Sequence, residues 1–578
     1  MSDHFSGGSA ELRSARKESQ HLYWAVGLFS CFVNLLMLTG PLYMLNVYDR
    51  VLSSRSVETL LALSLLAAFL YGIMGLLDYV RSRVMARIGA RFQSRLERRI
   101  FQAVLDAKTL VRAPREAATG MQDLEAVQRS ITSPSMMSLF DLPWSPIFFL
   151  GIFLFHEYLG ILAIFGGLTL LVISAASQLM SKSPVLAAHR ATFSADQFGG
   201  QVRTEAELAQ ALGMQEALFD RWQVDRRHAL EKQIAAADIT GSFTAAAKTF
   251  RLLLQSAMLG LGAYLVLLDQ LSPGAMIAGS ILLGRALAPI EALVGQWPNL
   301  QRGREGWRNL SSLLNTVGPD TKRTSLPAPK AHLVVNEMSV LTPGSNRPYL
   351  RGINFEVKPG QAVGIIGTSG SGKSTLARAL TGVWQPAVGE VRLDGATLDQ
   401  YDPNVRGRRI GYLPQRVQLF DGTIRDNIAR MTVSGDDNGV IAAAKAAAAH
   451  ELILSLHDGY DTYVGGAGNQ LSGGQLQRIA LARALYLDPV VVILDEPNSN
   501  LDNEGSIALN AAIQSIKADD RIVFVMAHRP AAIKECDMLL VLDQGQQRAF
   551  GPRDQVLEKL VKNHRDLTKN AAQSGGIS

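Results

Sequence analysis

Val363-Gly-Ile-Ile-Gly367-Thr-Ser-Gly-Ser-Gly372-Lys373-Ser374-Thr375 opens on a short apolar strand, turns through a glycine-rich loop and runs into a helix-compatible stretch. The spacing matches GxxxxGK[ST]. In such a loop the backbone N–H groups of Gly367, Thr368, Ser369, Gly370, Ser371 and Gly372 wrap a polyphosphate at a helix N-terminus. Lys373 neutralises the β and γ phosphates, the Ser374 hydroxyl is offered to Mg2+, and Thr375 completes the motif. A strand, loop and helix in this order place the site in an α/β fold.

Downstream, the apolar strand Val490 to Leu494 ends in Asp495-Glu496. Carboxylates at the carboxyl end of a buried strand stand where α/β folds bind their ligands. Asp495 is expected to help hold Mg2+ through its water shell, and Glu496 to polarise the attacking water as general base.

Between the two elements lies Leu471-Ser-Gly-Gly-Gln475. With the P-loop and the strand ending in Asp-Glu, this stretch resembles the ATP-binding cassette (ABC) family over about residues 331 to 555. The resemblance implies ATP and Mg2+ as cofactors and assigns further roles. Gln415 in YLPQ looks like the Q-loop glutamine, beside Ser374 and Asp495 around the metal. Ser499-Asn-Leu-Asp502 looks like the D-loop, and His528 in MAHRP like the switch histidine. Two cassettes are then expected to pair head to tail, so that Ser472, Gly473, Gly474 and Gln475 of one chain, with Asp502, complete the site held by the P-loop of the other. A homodimer is the simplest such assembly, and a heterodimer stays open.

Three positions depart from the family. Leu341 and Thr342 precede Pro343-Gly344 where an aromatic that stacks on adenine is expected, and Tyr349 lies later. Gly466 stands where exporters carry an acidic residue, and Leu476 follows the signature in place of a basic one.

The first half of the chain has a different character. The protein is 47% hydrophobic, and its apolar residues concentrate before about residue 300. Candidate membrane spans cover about 21 to 44, 57 to 79, 136 to 156, 158 to 178, 250 to 269 and 274 to 298. Asp141, Pro143 and Pro146 interrupt the third, whose other reading is a re-entrant segment. Joins near 157 and 270 are short, whereas 80 to 135 and 179 to 249 are long and helical in pattern.

Arg81, Arg83, Arg87, Arg91, Arg95, Arg98 and Arg99 place the first long loop in the cytoplasm. Four of them, Arg83 to Arg95, recur every fourth residue and read as one solvated helix face. This clustering explains the net charge of +6 as membrane topology, with no nucleic acid as partner. Arg285, near the middle of the last span, is expected either to pair with Asp141 or Glu291 or to line a translocation path. Cys31 and Cys536 are the only cysteines, too few for a disulfide framework or a metal cluster.

The expected fold is therefore multi-domain: an all-α, six-helix transmembrane domain of exporter type followed by an α/β P-loop cassette. Its parts are a cytoplasmic tail (1–20), the membrane domain (21–315), a linker (316–330), the cassette (331–565) and a C-terminal tail (566–578). The run from His21 to Met44 is too long for a secretion signal and reads as a retained first span.

Pro41-Leu-Tyr-Met-Leu-Asn-Val-Tyr-Asp-Arg50, Asp141-Leu-Pro-Trp-Ser-Pro-Ile-Phe148, Gly284-Arg-Ala-Leu-Ala-Pro289 and Asp495-Glu-Pro-Asn-Ser-Asn-Leu-Asp502 together resemble the type I protein secretion ATPases of the protease-exporter group. That resemblance implies an inner-membrane, multi-pass protein with its cassette in the cytoplasm, working with a periplasmic membrane-fusion adaptor and an outer-membrane duct. Its substrate would be an unfolded secreted polypeptide with a C-terminal signal. The short tail before His21 leaves no room for a peptidase-like domain. Glu205 to Trp222 and the stretch near Arg112 to Glu125 are the expected contacts with a cassette. A lipid or drug exporter, and an ATP-gated channel or regulator, are the competing readings.

Overall fold

The computed structural model describes residues 7–110, 114–319, 323, 326–342, 344–345, 347–433, 435–465, 471–527 and 533–559. Two compact units divide near Pro319. Six helices in the first are long and apolar enough to cross a membrane, and they coincide with the six spans read from hydropathy.

The first unit is helical throughout. α1 (Gly7–Lys17) precedes α2 (Gln20–Leu36), α3 (Thr39–Asn46), a π-turn over Val47–Val51 and α4 (Leu52–Ser54), which together form the first span. Within the tail before His21, Gly7–Lys17 is a packed helix: Leu12 is fully buried, and Gly8 N–H donates to Asn315 Oδ1 at 2.8 Å. α5 (Val57–Thr109) carries the second span and continues well beyond it. Arg83, Arg87, Arg91 and Arg95 are all exposed along it, the single face that their spacing predicts.

After α6 (Gly120–Ile131), the third span is broken where its prolines fall. α7 (Pro134–Asp141) and α8 (Ser145–Phe155) flank a 3-10 turn at Leu142–Trp144, because proline lacks the N–H that an uninterrupted helix needs. α9 (Glu157–Thr204), the short α10 (Ala206–Ala211) and α11 (Gln215–Leu267) form a long hairpin. At Gly166 a Cβ would lie 2.0 Å from Leu254, so glycine is what lets α9 and α11 approach. α12 (Pro273–Gly295) and α13 (Trp297–Thr316) complete the unit. Leu159, Leu170, Met258, Leu283 and Leu287 lie in the core that α8, α9, α11 and α12 share.

The π-turn has a definite task. Asp49 within it accepts from Ser272 Oγ (2.6 Å) and from Gly274 N–H (2.9 Å), capping the start of α12.

Arg285 departs from the expected ion pairing. Asp141 is taken by Arg81 (2.6 Å) and Glu291 by Arg251 (2.7 Å), leaving Arg285 exposed on α12 without a carboxylate partner among the described residues. The reason is register: α12 packs Leu283, Ala286 and Leu287 inward and turns Arg285 away from both acids.

The second unit is built on a ten-stranded sheet. Its parallel heart runs in space as Met538–Asp543, Ala362–Gly367, Ile522–Met526, Val491–Asp495 and Ile410–Leu413. Val491–Asp495 and Ile522–Met526 are buried at every position, as strands covered on both faces must be. Two apolar cores lie against the sheet, one around Ile479, Leu481, Leu485 and Val525, the other around Leu376, Leu380, Ile493 and Phe524. This order sets the carboxyl ends at Gly367 and Asp495 on either side of the strand ending at Met526.

Candidate functional site

The P-loop leaves the strand Ala362–Gly367 and enters helix α14 (Lys373–Leu380). Backbone geometry requires two of its glycines, Gly370 at φ +78° and Gly372 at φ +107°. At Gly367 a Cβ would stand 2.3 Å from the Leu542 carbonyl oxygen. Lys373 Nζ donates to the carbonyl oxygens of Gly367 (2.9 Å) and Thr368 (3.0 Å), which places its ammonium inside the loop. Burial pushes the Lys373 pKa down, against the opposing pull of Glu496 and Asp495. A polyphosphate entering the loop would offset that desolvation.

Asp495 ends its strand at 2% exposure. Burial pushes its carboxyl pKa up, while a hydrogen bond from Ser374 pulls it back. Its Oδ1 is buried without a hydrogen-bond partner. A buried carboxylate oxygen lacking a donor, beside a serine hydroxyl at the mouth of a phosphate loop, fits a hydrated divalent cation. Gln415 follows the strand Ile410–Leu413, whose register with the neighbouring strand (Leu413 opposite Leu494) sets it beside the Asp495 strand end.

Glu496 adopts φ +54°, a conformation uncommon for a residue with a side chain, and its N–H donates to the Met526 carbonyl oxygen at 3.1 Å. Its carbonyl oxygen accepts from Gln477 Nε2 at 3.2 Å, as does that of Pro497, while Gln477 Oε1 accepts from Asn500 N–H at 3.1 Å. One buried glutamine thus ties the helix that follows the signature to the turn carrying Glu496 and to the D-loop. Sequence reading passed over it. The available signal was a polar residue on the apolar face that Leu481 and Ala484 continue one and two turns later.

The signature is a helix start. Ser472 caps the helix Gly473–Leu485 in a reciprocal box, its Oγ accepting from Gln475 N–H (3.3 Å) and its own N–H donating to Gln475 Oε1 (2.8 Å). Gly474 lets the D-loop approach, since a Cβ there would lie 3.0 Å from the Asn500 carbonyl oxygen. Asp502 accepts from Gly505 N–H (2.7 Å) and Arg478 Nη2 (2.9 Å), bonds that hold its carboxyl below the usual range, the Gly505 bond most of all. Asp502 is thereby a cap and an anchor for Arg478. Among the described residues, no hydrogen bond joins Ser472–Gln475 to the P-loop of the same chain.

The aromatic that the sequence does not place before Pro343-Gly344 has a counterpart in space. Tyr349, 41% exposed, donates its hydroxyl to the Gly370 carbonyl oxygen at 2.7 Å, and its Cδ1 lies 3.7 Å from where a Cβ on Gly372 would be. His528, Gly466, Pro343, Arg112 and the tail 566–578 lie outside the described residues. The strand Ile522–Met526 leading toward His528 runs parallel to both site strands.

Comparison with known proteins agrees with this construction. Residues 23–287 match the ABC transporter transmembrane region and residues 350–499 the ABC transporter ATPase family. The chain is 41% identical to the type I secretion system ATP-binding protein PrsD of Rhizobium meliloti over 98% of its own length and 97% of the relative's. It is 31% identical to the leukotoxin translocation ATP-binding protein LktB of Mannheimia haemolytica, over 92% and 75%. A bacterial Atm1-family ABC exporter with ATP bound shares its fold, with a TM-score of 0.80 at 22% identity over 94% and 96% of the two chains. Membrane helices and a nucleotide cassette in series on one chain, similar along nearly its whole length to a secretion ATPase, make this an ATP-hydrolysing member of the ABC transporter family, in its type I secretion branch.

Proposed function

We propose that the chain is the inner-membrane engine of a type I secretion system, a homodimer that uses MgATP to export an unfolded polypeptide bearing a C-terminal signal. The observation that carries the reading is the pairing of an almost complete nucleotide site with a six-span unit, on a chain matching 97% of a type I secretion ATP-binding protein. A membrane-fusion adaptor and an outer-membrane duct are the further partners this assignment requires, with the cassette in the cytoplasm.

In the mechanism, the P-loop amides and Lys373 bind and orient the triphosphate. Ser374, Asp495 and Gln415 would hold Mg2+, which when bound neutralises charge on the phosphate oxygens. Glu496 takes the proton of the attacking water, and His528 supports the γ-phosphate. Ser472, Gly473, Gly474 and Gln475 present the N-terminus of their helix to the nucleotide of the second chain, so closure of the dimer completes each site. α10 and the turn at Gly213-Met214, between two very long helices, carry that closure to the spans. Arg285, exposed on α12, lines the path that opens.

Reconstitution in lipid tests the assignment. ATPase activity is expected to rise on adding the C-terminal segment of a secreted polypeptide and to be lost when dimer formation is blocked. Stimulation by lipid or a small hydrophobic compound alone, without response to polypeptide, would overturn it.

A further inference from the structure

A cavity of about 1250 Å3 in the membrane unit opens where α1 meets α2 and is walled by α6, α7, α9 and α13. Arg16, Lys17, Lys182, Arg190, Arg304 and Arg308 line it, against a single carboxylate, Glu305. None of the six cations has a carboxylate partner among the described residues. The same bundle pairs cations elsewhere: Arg302 meets the fully buried Asp123 at 3.0 Å, and Arg99 meets Glu11 at 3.2 Å.

Three polar atoms in its wall lack hydrogen-bond partners, among them Glu305 Oε2, which lies 3.9 Å from Arg302 Nη1. Gln301 is 9% exposed with a buried, unsatisfied Oε1, and the Trp297 indole Nε1 is also buried without an acceptor. An acceptor-hungry N–H and a donor-hungry carbonyl side by side under six positive charges call for a ligand that is anionic and carries hydroxyl or amine hydrogens as well.

Position narrows the class further. Along the chain, the lining residues lie at and beyond the ends of the first, fourth and sixth spans on the arginine-rich side, which the positive-inside rule assigns to the cytoplasm. Tyr23, Trp297 and Trp307 are there, with the Arg16 guanidinium 5.8 Å over the Trp307 ring. The wall also includes Phe140 and Leu179, the latter 80% exposed, so an apolar track leads from the charged pocket to the outer surface of the helices.

We propose that this cavity binds an anionic phospholipid of the cytoplasmic leaflet. Its phosphate lies among the cations and takes the Trp297 N–H, a headgroup hydroxyl donates to Gln301 Oε1, and the acyl chains leave along Phe140 and Leu179. This inference needs only the membrane placement of the unit and stands apart from the identity of the exported substrate.

The test is native mass spectrometry and thermal unfolding of the full-length protein in nanodiscs. Phosphatidylethanolamine discs are compared with discs containing phosphatidylglycerol. The wild type is expected to retain phosphatidylglycerol selectively and to unfold at higher temperature with it. Lys182→Gln combined with Arg304→Gln is expected to weaken that retention about tenfold or more, since each basic side chain near an anionic surface contributes several-fold. Trp297→Phe, which keeps every charge, is expected to weaken it less. An unchanged thermal shift on adding ATP verifies that the variants are folded.

No preference for the anionic lipid in the wild type would overturn the proposal without any variant. So would equal protection by glycerol phosphate or inorganic phosphate, which would make this a small-anion site. Displacement of the lipid by a cargo C-terminal segment that itself quenches Trp297 would assign the cavity to the polypeptide instead.

Discussion

Arg81 Nη1 lies 2.6 Å from Asp141 Oδ1, joining the second span to the third with the arginine only 6% exposed. The pair is embedded in polar contacts: Arg81 also donates to Ser30 Oγ (2.9 Å) and Asp78 (2.7 Å), and Asn34 Nδ2 donates to the same Asp141 oxygen at 2.8 Å. Helices α2, α5 and α7 are thus fastened at one point. Removing Arg81 leaves Asp141 without its cation, and removing Asp141 leaves Arg81 with only the largely exposed Asp78. Asp141→Asn or Arg81→Met is expected to cost about 3–5 kcal/mol, and the double variant less than the sum. Thermal unfolding of all four proteins in one detergent gives the coupling directly.

Gln477 contacts Glu496, Pro497 and Asn500 through backbone atoms alone, so its effect on catalysis is by positioning. Gln477→Ala leaves Asn500 N–H and the Pro497 carbonyl without those partners, a loss of about 1–3 kcal/mol per unsatisfied group, while the Glu496 carbonyl oxygen still accepts from Ser499 N–H at 3.2 Å. A fall of about tenfold in kcat with little change in KM for ATP is expected, because the P-loop is untouched. Proportional loss of ATP binding would contradict this.

Much of the site was legible because its chemistry is local in sequence. A phosphate loop needs consecutive amides, so Gly367 to Lys373 are written side by side. Five of the spans are legible from apolar length by themselves, whereas the third, interrupted by Asp141, Pro143 and Pro146, also needs the even span count. What escaped notice is pairwise. Of the two readings of Arg285, the pairing with Asp141 or Glu291 fails, because those acids pair with Arg81 and Arg251. Tyr349 and Gln477 act across elements far apart in the chain. Only the sheet order brings Tyr349 to Gly370, and only the folded D-loop brings Asn500 to Gln477.

Tyr349 is placed to give the nucleotide an aromatic surface that Leu341 and Thr342 cannot. Base–aromatic stacking contributes about 1–3 kcal/mol, so Tyr349→Ala is expected to raise KM for ATP about tenfold or more. Tyr349→Phe, which loses the hydroxyl bond to Gly370 but keeps the ring, is expected to raise it far less. Equal effects of the two variants would assign Tyr349 to loop support alone.

Glu496→Gln separates binding from turnover. Removing a general base lowers the rate by about 10²–10⁴-fold, while the phosphate loop is unchanged. The variant is expected to bind ATP normally and to accumulate as a closed dimer visible by size-exclusion chromatography. Retention of normal ATPase activity would remove Glu496 from the role.

Asp495 and Lys373 together predict how the nucleotide-free protein responds to pH. Asp495 has a folded pKa raised above 3.8, so its contribution to stability is fully present below that value and is lost as pH rises through the folded pKa. Lys373 has a folded pKa below 10.5, so its contribution is present above 10.5 and is lost as pH falls through the folded value. Each shift means that burial makes the charged form costly in the empty site, a cost that bound MgATP relieves. Asp495→Asn is therefore expected to unfold at a higher temperature than the wild type at pH 7.5 in the absence of nucleotide, by about 2–4 °C for each kcal/mol relieved. The difference is expected to close as pH falls below 3.8, where Asp495 becomes protonated in folded and unfolded chains alike. In MgATP the order should reverse, because the variant has lost the carboxylate that faces the cation. Unfolding curves at both pH values, with and without MgATP, check all three signs. A variant less stable than the wild type without nucleotide at pH 7.5 would show that ionised Asp495 stabilises the empty site.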